Sequence, residues 1–121
     1  MKQMDWEDSC PLVTTQRIMA GKWKLSIIWF LAEHSVMRFN ELKSAFDDPA
    51  LTQKMLTQHL KELQADSLVI RTVYNTVPPK VDYRLSELGE SFIPIMRSME
   101  TWGKSYQKAT DAKKHSEESS G

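Results

Sequence analysis

The chain has 121 residues, room for one domain around one hydrophobic core, which argues against a two-domain enzyme. Hydrophobic residues make up 40% and charged residues 26%, and 16 basic side chains balance 16 acidic ones, which excludes a disordered or polybasic chain. No apolar run approaches the ~18 residues that span a bilayer, and a single cysteine, Cys10, excludes an internal disulfide framework and a multi-cysteine zinc site. The expectation is a soluble cytoplasmic protein without a cofactor.

Neutrality hides a gradient, with residues 1–10 at −2, 11–37 at +2 and 38–85 at +1. Any case for binding nucleic acid therefore rests on where a few bases are placed, not on bulk charge.

In chain order, residues 1–8 form an acidic arm. Cys10-Pro11 opens a first helix, with Pro at its favoured first position and Leu12, Val13, Ile18 and Met19 following before Gly21 ends it. The run from Lys22 to Ala32 is nearly all apolar and reads as a second, buried helix, broken by Glu33, His34 and Ser35. Met37-Arg38-Phe39 is a short extended link. Asn40 reads as the N-cap of a third helix over Glu41 to Phe46, and Asp47-Asp48-Pro49-Ala50 as a turn. Thr52 caps a fourth helix reaching about Asp66, with Leu56, Leu60 and Leu63 on one face. The opposite face carries Lys54, Thr57, Gln58 and Lys61.

After Ser67 the period becomes alternating. Leu68 to Tyr74 and Val81 to Leu85 form a hairpin across a proline-containing tip, Asn75 to Lys80. Ser86-Glu87 restarts a helix to about Lys108, with Pro94 expected to kink it. Leu88, Phe92, Ile95, Met96, Met99, Trp102 and Tyr106 make an apolar stripe along it. Residues 109–121 are polar and read as a frayed tail, leaving 9–108 as the folded domain.

This order, mostly α with a small β-hairpin wing, is that of a winged helix-turn-helix, in which one helix enters the DNA major groove and the hairpin reaches the flanks. The stretches Cys10-Pro11, Gly21-Lys22-Trp23, Arg38-Phe39-Asn40-Glu41-Leu42, Leu56 to Leu63, Val77 to Tyr83 and Leu85-Ser86-Glu87-Leu88-Gly89 resemble the signature blocks of the HxlR-type winged helix-turn-helix transcriptional regulators, of the MarR-like superfamily. The resemblance implies a sequence-specific DNA-binding homodimer, paired through terminal helices and acting on an inverted-repeat operator. It also implies oxidant or electrophile sensing in some members, through a cysteine at the position of Cys10. Two departures stand out. Lys54 and His59 occupy a recognition helix where relatives often carry arginine, and Lys24, Ser26 and Trp29 replace the more usual aliphatic or hydroxyl residues of the second helix.

The candidate DNA contacts follow from residue chemistry. Gln58 can pair with adenine, Thr57 can meet a thymine methyl or a phosphate, and Lys54 and Lys61 suit phosphate or guanine. Gln53 sits at a helix N-terminus that favours phosphate, Asn40 is either a cap or a phosphate contact, and Lys80 is the best wing base. Arg71 and Arg84 either reach flanking phosphates or pair with Asp82. A merely solvated helix face is the alternative for the fourth helix, and a protein-interaction module that binds no DNA is the alternative function. Few phosphate-directed bases per subunit make dimerisation on a two-fold site physically necessary. Ile95, Met99, Trp102 and Tyr106, with Leu12 of the first helix and Trp6, are the candidate dimer seam. Cys10 is the redox candidate, the alternative being an inert small residue at a helix start. His34, His59 and His115 have no metal-ligand spacing and no phosphate loop is present, so neither a metal site nor an enzyme is expected. No membrane partner is expected, and the effector is left open.

Overall fold

The computed structural model describes residues 9–119; the arm at 1–8, and with it Trp6 as a seam residue, lies outside the described residues. The chain forms two compact units that divide after Glu90.

In the first unit, helix α1 (Pro11–Ile18) starts as its sequence dictates, with Cys10 in extended backbone as N-cap and Pro at the first helical position. It buries none of its own residues, and its Arg17 lies 3.9 Å from Asp66. Gly21, at φ 98°, turns the chain into helix α2 (Lys24–His34). Ile27, Ile28 and Leu31 of α2 are completely buried, as its near-continuous apolar run requires. Strand β1 (Val36–Arg38) follows, then helix α3 (Phe39–Phe46).

Asn40 is the second residue of α3, not its cap. The helix begins two residues earlier than the sequence suggests because Glu41 reaches back to accept the backbone N–H of Arg38 at 3.2 Å, which satisfies the helix entry without an Asn side chain. Asp47 ends α3 in the left-handed region. The Asp48 carboxylate then accepts the N–H of Ala50 at 2.9 Å, the local bond that makes Asp a turn former.

Helix α4 (Gln53–Ala65) is capped by Thr52, whose hydroxyl accepts the Met55 N–H at 3.1 Å. Leu56, Leu60 and Leu63 are fully buried and join Ile27, Ile28, Leu31, Leu42 and Leu51 as the core. Truncating one of these to Ala costs about 2–5 kcal/mol. Trp23 and Phe30 each meet Phe46 edge to face, at 5.5 and 4.9 Å, sealing α2 against α3.

Strands β2 (Val69–Tyr74) and β3 (Lys80–Leu85) form the hairpin, Val69 opposite Leu85 and Tyr74 opposite Lys80. The segment read as an extended link pairs with β3, Met37 opposite Tyr83, so the sheet has three antiparallel strands in the order β1-β3-β2. Helix α5 (Glu87–Glu90) closes the unit. Its Gly89 lies so close to the Leu68 carbonyl that a Cβ would overlap it. Ser86 clamps the same corner, donating from Oγ to the Ser67 carbonyl at 2.6 Å and accepting the Gly89 N–H at 3.0 Å.

The second unit is helix α6 (Ile93–Ser119). The sequence suggests one helix from Ser86 kinked at Pro94. Instead the helix breaks at residues 91–92 and restarts, leaving Pro94 in the first turn of α6. A continuous helix would lose the bond from residue 94 to residue 90 and drive the proline ring into that carbonyl; in a first turn neither penalty arises. The segment read as a frayed tail is helical as far as Ser119. Propagating an existing helix through Ala and Lys, both good helix formers, costs far less than nucleating one. No helix among the described residues is long and apolar enough to cross a membrane.

Candidate nucleic-acid interface

The leucines of α4 are buried and the polar positions between them turn outward. Lys54, Gln58 and Lys61 are exposed, with Gln53 exposed at the helix start. Neither Lys54 nor Lys61 forms an ion pair within the described residues, so both charges are available to a ligand. Thr57 is half-buried, and its hydroxyl donates to the Gln53 carbonyl at 2.9 Å. With its hydroxyl proton committed, Thr57 keeps its methyl group and hydroxyl lone pairs, which suit a thymine methyl better than a phosphate.

Thr57, Lys61 and Gln64 of α4 line a groove of about 400 Å³ with Arg71 of β2 and Tyr83 of β3. The groove brings a helix base and a strand base to one opening. Gln64 and Tyr83 had no signal as site residues, because only the pairing of β2 with β3 and the packing of the hairpin on α4 put them there. Lys80 is exposed at the start of β3, beside the 75–79 tip, where the Thr76 hydroxyl donates to the Pro78 carbonyl at 2.8 Å. Asn40 is exposed in the first turn of α3.

Asp82 is not the partner of Arg71 or Arg84. Its carboxylate lies 4.0 Å from Arg38 Nε, and its interaction with the Tyr74 hydroxyl holds that phenol above its ordinary value of 10.0. The cause is β1: its pairing with β3 sets Arg38 opposite Asp82, a juxtaposition that a hairpin alone does not provide.

The exposed face of α4 has a second tier. Gln58 Nε2 donates to Glu62 Oε1 at 3.0 Å, and Glu62 pairs with Lys24 of α2, the one buried charged residue among those described. The Lys24 hydrogen bond, followed by that of Gln58, holds the Glu62 carboxyl below its ordinary value of 4.5. The nitrogens of His59 meet no hydrogen-bond partner and are screened from solvent, consistent with a ring packed for shape. Cys10 is half-buried with a free thiol, and no group of three or more metal-binding side chains occurs among the described residues. On α6, Ile95, Met99, Trp102 and Tyr106 are exposed, Trp102 at 68% and stacked on Tyr106 at 5.4 Å, whereas Met96 is buried. Leu12 on α1 is exposed at 76%.

The family model described as HxlR-like helix-turn-helix matches residues 18–111. The chain is a member of the HxlR family of winged helix-turn-helix transcriptional regulators. Among its relatives, the HTH-type transcriptional regulator YkvN of Bacillus subtilis (strain 168) is 46% identical over 98 residues, covering 81% of this chain and 80% of its own. Among solved structures, the redox regulator HypR in its reduced form is 39% identical with a TM-score of 0.76, over 84% of this chain and 98% of that one. The reduced form of the transcriptional regulator YodB from B. subtilis is 32% identical with a TM-score of 0.67, over 77% of this chain and 89% of that one. The family match thus begins at the last residue of α1 and takes in α2, α3, α4 and the wing. Lys24 and Glu62 were missed as a pair by sequence reasoning; the available signal was a lysine inside an otherwise apolar α2.

Proposed function

We propose that this HxlR-family chain binds double-stranded DNA sequence-specifically as a homodimer, inserting α4 into the major groove and setting the β2–β3 wing on the flanking backbone. The observation that carries this reading is the outer face of α4: Lys54, Gln58 and Lys61 are exposed and the two lysines form no ion pair among the described residues, opposite a fully buried leucine face. The lysines suit phosphate or guanine, Gln58 suits adenine, and Thr57 suits a thymine methyl. Gln53 and Asn40 lie in the first turns of α4 and α3, where backbone N–H groups favour phosphate. Lys80 and Arg71 serve the flank.

Each subunit brings few phosphate contacts, so useful affinity comes from two subunits on an inverted repeat. The exposed stripe Ile95, Met99, Trp102 and Tyr106 on α6, with Leu12 on α1, is the proposed seam. Its large apolar side chains gain most from a partner that removes water from them.

Cys10 is proposed as an oxidant-responsive thiol, supported by the structural likeness to the redox regulator HypR in its oxidized form and to diamide-treated YodB from B. subtilis. With one cysteine per chain, the product is a disulfide to a second chain or a mixed disulfide with a small thiol. Two thiols lose two protons and two electrons, and diamide takes them up to become the hydrazine. A Cys10→Ser protein that still releases DNA fully on diamide treatment would remove this part of the reading.

Selection from a random DNA library at two salt concentrations tests the main proposal. The expected result is an enriched inverted repeat that is lost with Lys54→Ala/Gln58→Ala, and an affinity that falls steeply with salt. A folded dimer that enriches nothing at low salt would point instead to a protein-interaction module.

A further inference from the structure

Lys24 stands in an unfavourable place twice over. It is 7% exposed, so its ammonium has lost most of its hydration. It is also the first residue of α2, where the helix dipole disfavours a cation. Apolar residues of similar size are commonly as good as a buried ion pair for stability, so the pair with Glu62 is weakly explained as a stabiliser.

Its geometry gives a better account. The ammonium holds one carboxylate oxygen of Glu62, and the other oxygen accepts a hydrogen bond from Gln58 Nε2 at 3.0 Å. Glu62 and Gln58 lie one helical turn apart on α4, and Gln58 is exposed beside Lys54 and Lys61. One N–H of the Gln58 amide is thereby committed. The other N–H and the Oε1 atom are left outward, and the bond defines which end of the amide is which. A remaining N–H and a carbonyl oxygen side by side are what the adenine N7 acceptor and N6 donor require in the major groove.

We propose that Lys24 is a positioning residue for base recognition, fixing Glu62 so that Glu62 presents Gln58 as a pre-oriented reader of adenine. This rests on the DNA-binding reading above. Fixing a long glutamine before DNA arrives removes rotamer freedom that binding would otherwise have to remove. The ammonium also offsets a carboxylate that would otherwise repel the phosphates.

The test measures, for wild type, Gln58→Ala, Lys24→Met and Lys24→Met/Gln58→Ala, the affinity for the selected operator and for every single-base variant of one half-site. Dimer state and Tm are recorded for each protein. In wild type the base pair read by Gln58 should show roughly 5- to 100-fold discrimination, the range of a bidentate contact. Lys24→Met should reduce this to within about threefold at that same base pair, leave the other positions near wild type, and add nothing to Gln58→Ala in the double variant, as two members of one network do. Should Lys24→Met unfold because it strands Glu62, Lys24→Met/Glu62→Ala removes both charges and is judged by the same profile.

Wild-type discrimination retained in the folded Lys24 variant overturns the proposal. So does a uniform loss across all sequences, which is what a merely structural residue would produce, or a Gln58→Ala protein whose profile is unchanged. Failure of the wild type to enrich any sequence removes the DNA-binding reading and this proposal together, whereas enrichment with an indifferent Lys24 removes this one alone.

Discussion

Helices α4 and α6 each expose a stripe of long side chains, and the two stripes have opposite chemistry. On α4 the stripe holds Lys54, Gln58 and Lys61; on α6, which is exposed almost all round, the apolar stripe is Ile95, Met99, Trp102 and Tyr106. An exposed lysine or glutamine is already well solvated, so it gains only from a partner that returns charge and directional hydrogen bonds. An exposed tryptophan stacked on a tyrosine gains most from a partner that excludes water. Within one chain the same helical period thus prepares one surface suited to a hydrated polyanion and another suited to an apolar surface.

The largest expected effect breaks the apolar face. Met99→Asp/Trp102→Asp should raise the dimer dissociation constant by roughly 30-fold or more, from the ~2 kcal/mol or greater loss typical of an aromatic interface anchor. Sedimentation at micromolar concentration reads this directly, and a variant that stays as dimeric as wild type would place the seam elsewhere. Next, Lys54→Ala/Gln58→Ala should leave the dimer intact and weaken operator binding by about 2–4 kcal/mol per subunit, about 1–3 kcal/mol coming from a bidentate base contact. Loss of a lysine–phosphate contact should lower the salt slope by about one per subunit. An unchanged operator affinity would return that face to being merely solvated.

A substitution that touches neither face calibrates both. Gly89→Ala forces a Cβ against the Leu68 carbonyl and should cost about 1–3 kcal/mol, the usual range for overpacking. The expected readout is a lowered Tm with an unchanged ratio of specific to non-specific DNA affinity; a changed ratio would mean that the α5 corner also positions the wing.

The smallest effect concerns the second tier of the polar face. Lys24 and then Gln58 hold the Glu62 carboxyl below 4.5, so its charged form is the one favoured by folding. Its contribution is therefore fully present above about pH 4.5 and is lost as pH falls through the lower folded value. Because the Glu62 side chain is 39% exposed, solvent screening keeps the effect under about 1 kcal/mol. Thermal melts from pH 6 to pH 3 should show wild type losing its advantage over Glu62→Gln, and parallel curves would mean the pair is energetically silent.

Elements carried by local rules were legible in the chain. Cys10-Pro11, Thr52 and the Leu56, Leu60, Leu63 spacing placed α1 and α4 within a residue or two, and the alternation after Ser67 placed the hairpin. Two misplaced features were decided by partners far away in sequence. The link at 36–38 became a strand because β3 offers it a ladder edge. Asp82 was drawn to Arg38 for the same reason. Asn40 lost the cap to the Glu41 carboxylate, which accepts the Arg38 backbone N–H, a competition between two adequate local solutions.

Read alone, the sequence determined which residues can be helical, which faces are apolar and which side chains have the chemistry to meet a base or a phosphate, because these depend on short-range periodicity and side-chain type. Only the tertiary structure decided that Lys24 is buried against Glu62 and that Gln58 is thereby oriented. A lysine 38 positions away from its carboxylate partner leaves no periodic trace, and its effect exists only once α2 and α4 have closed on a common core.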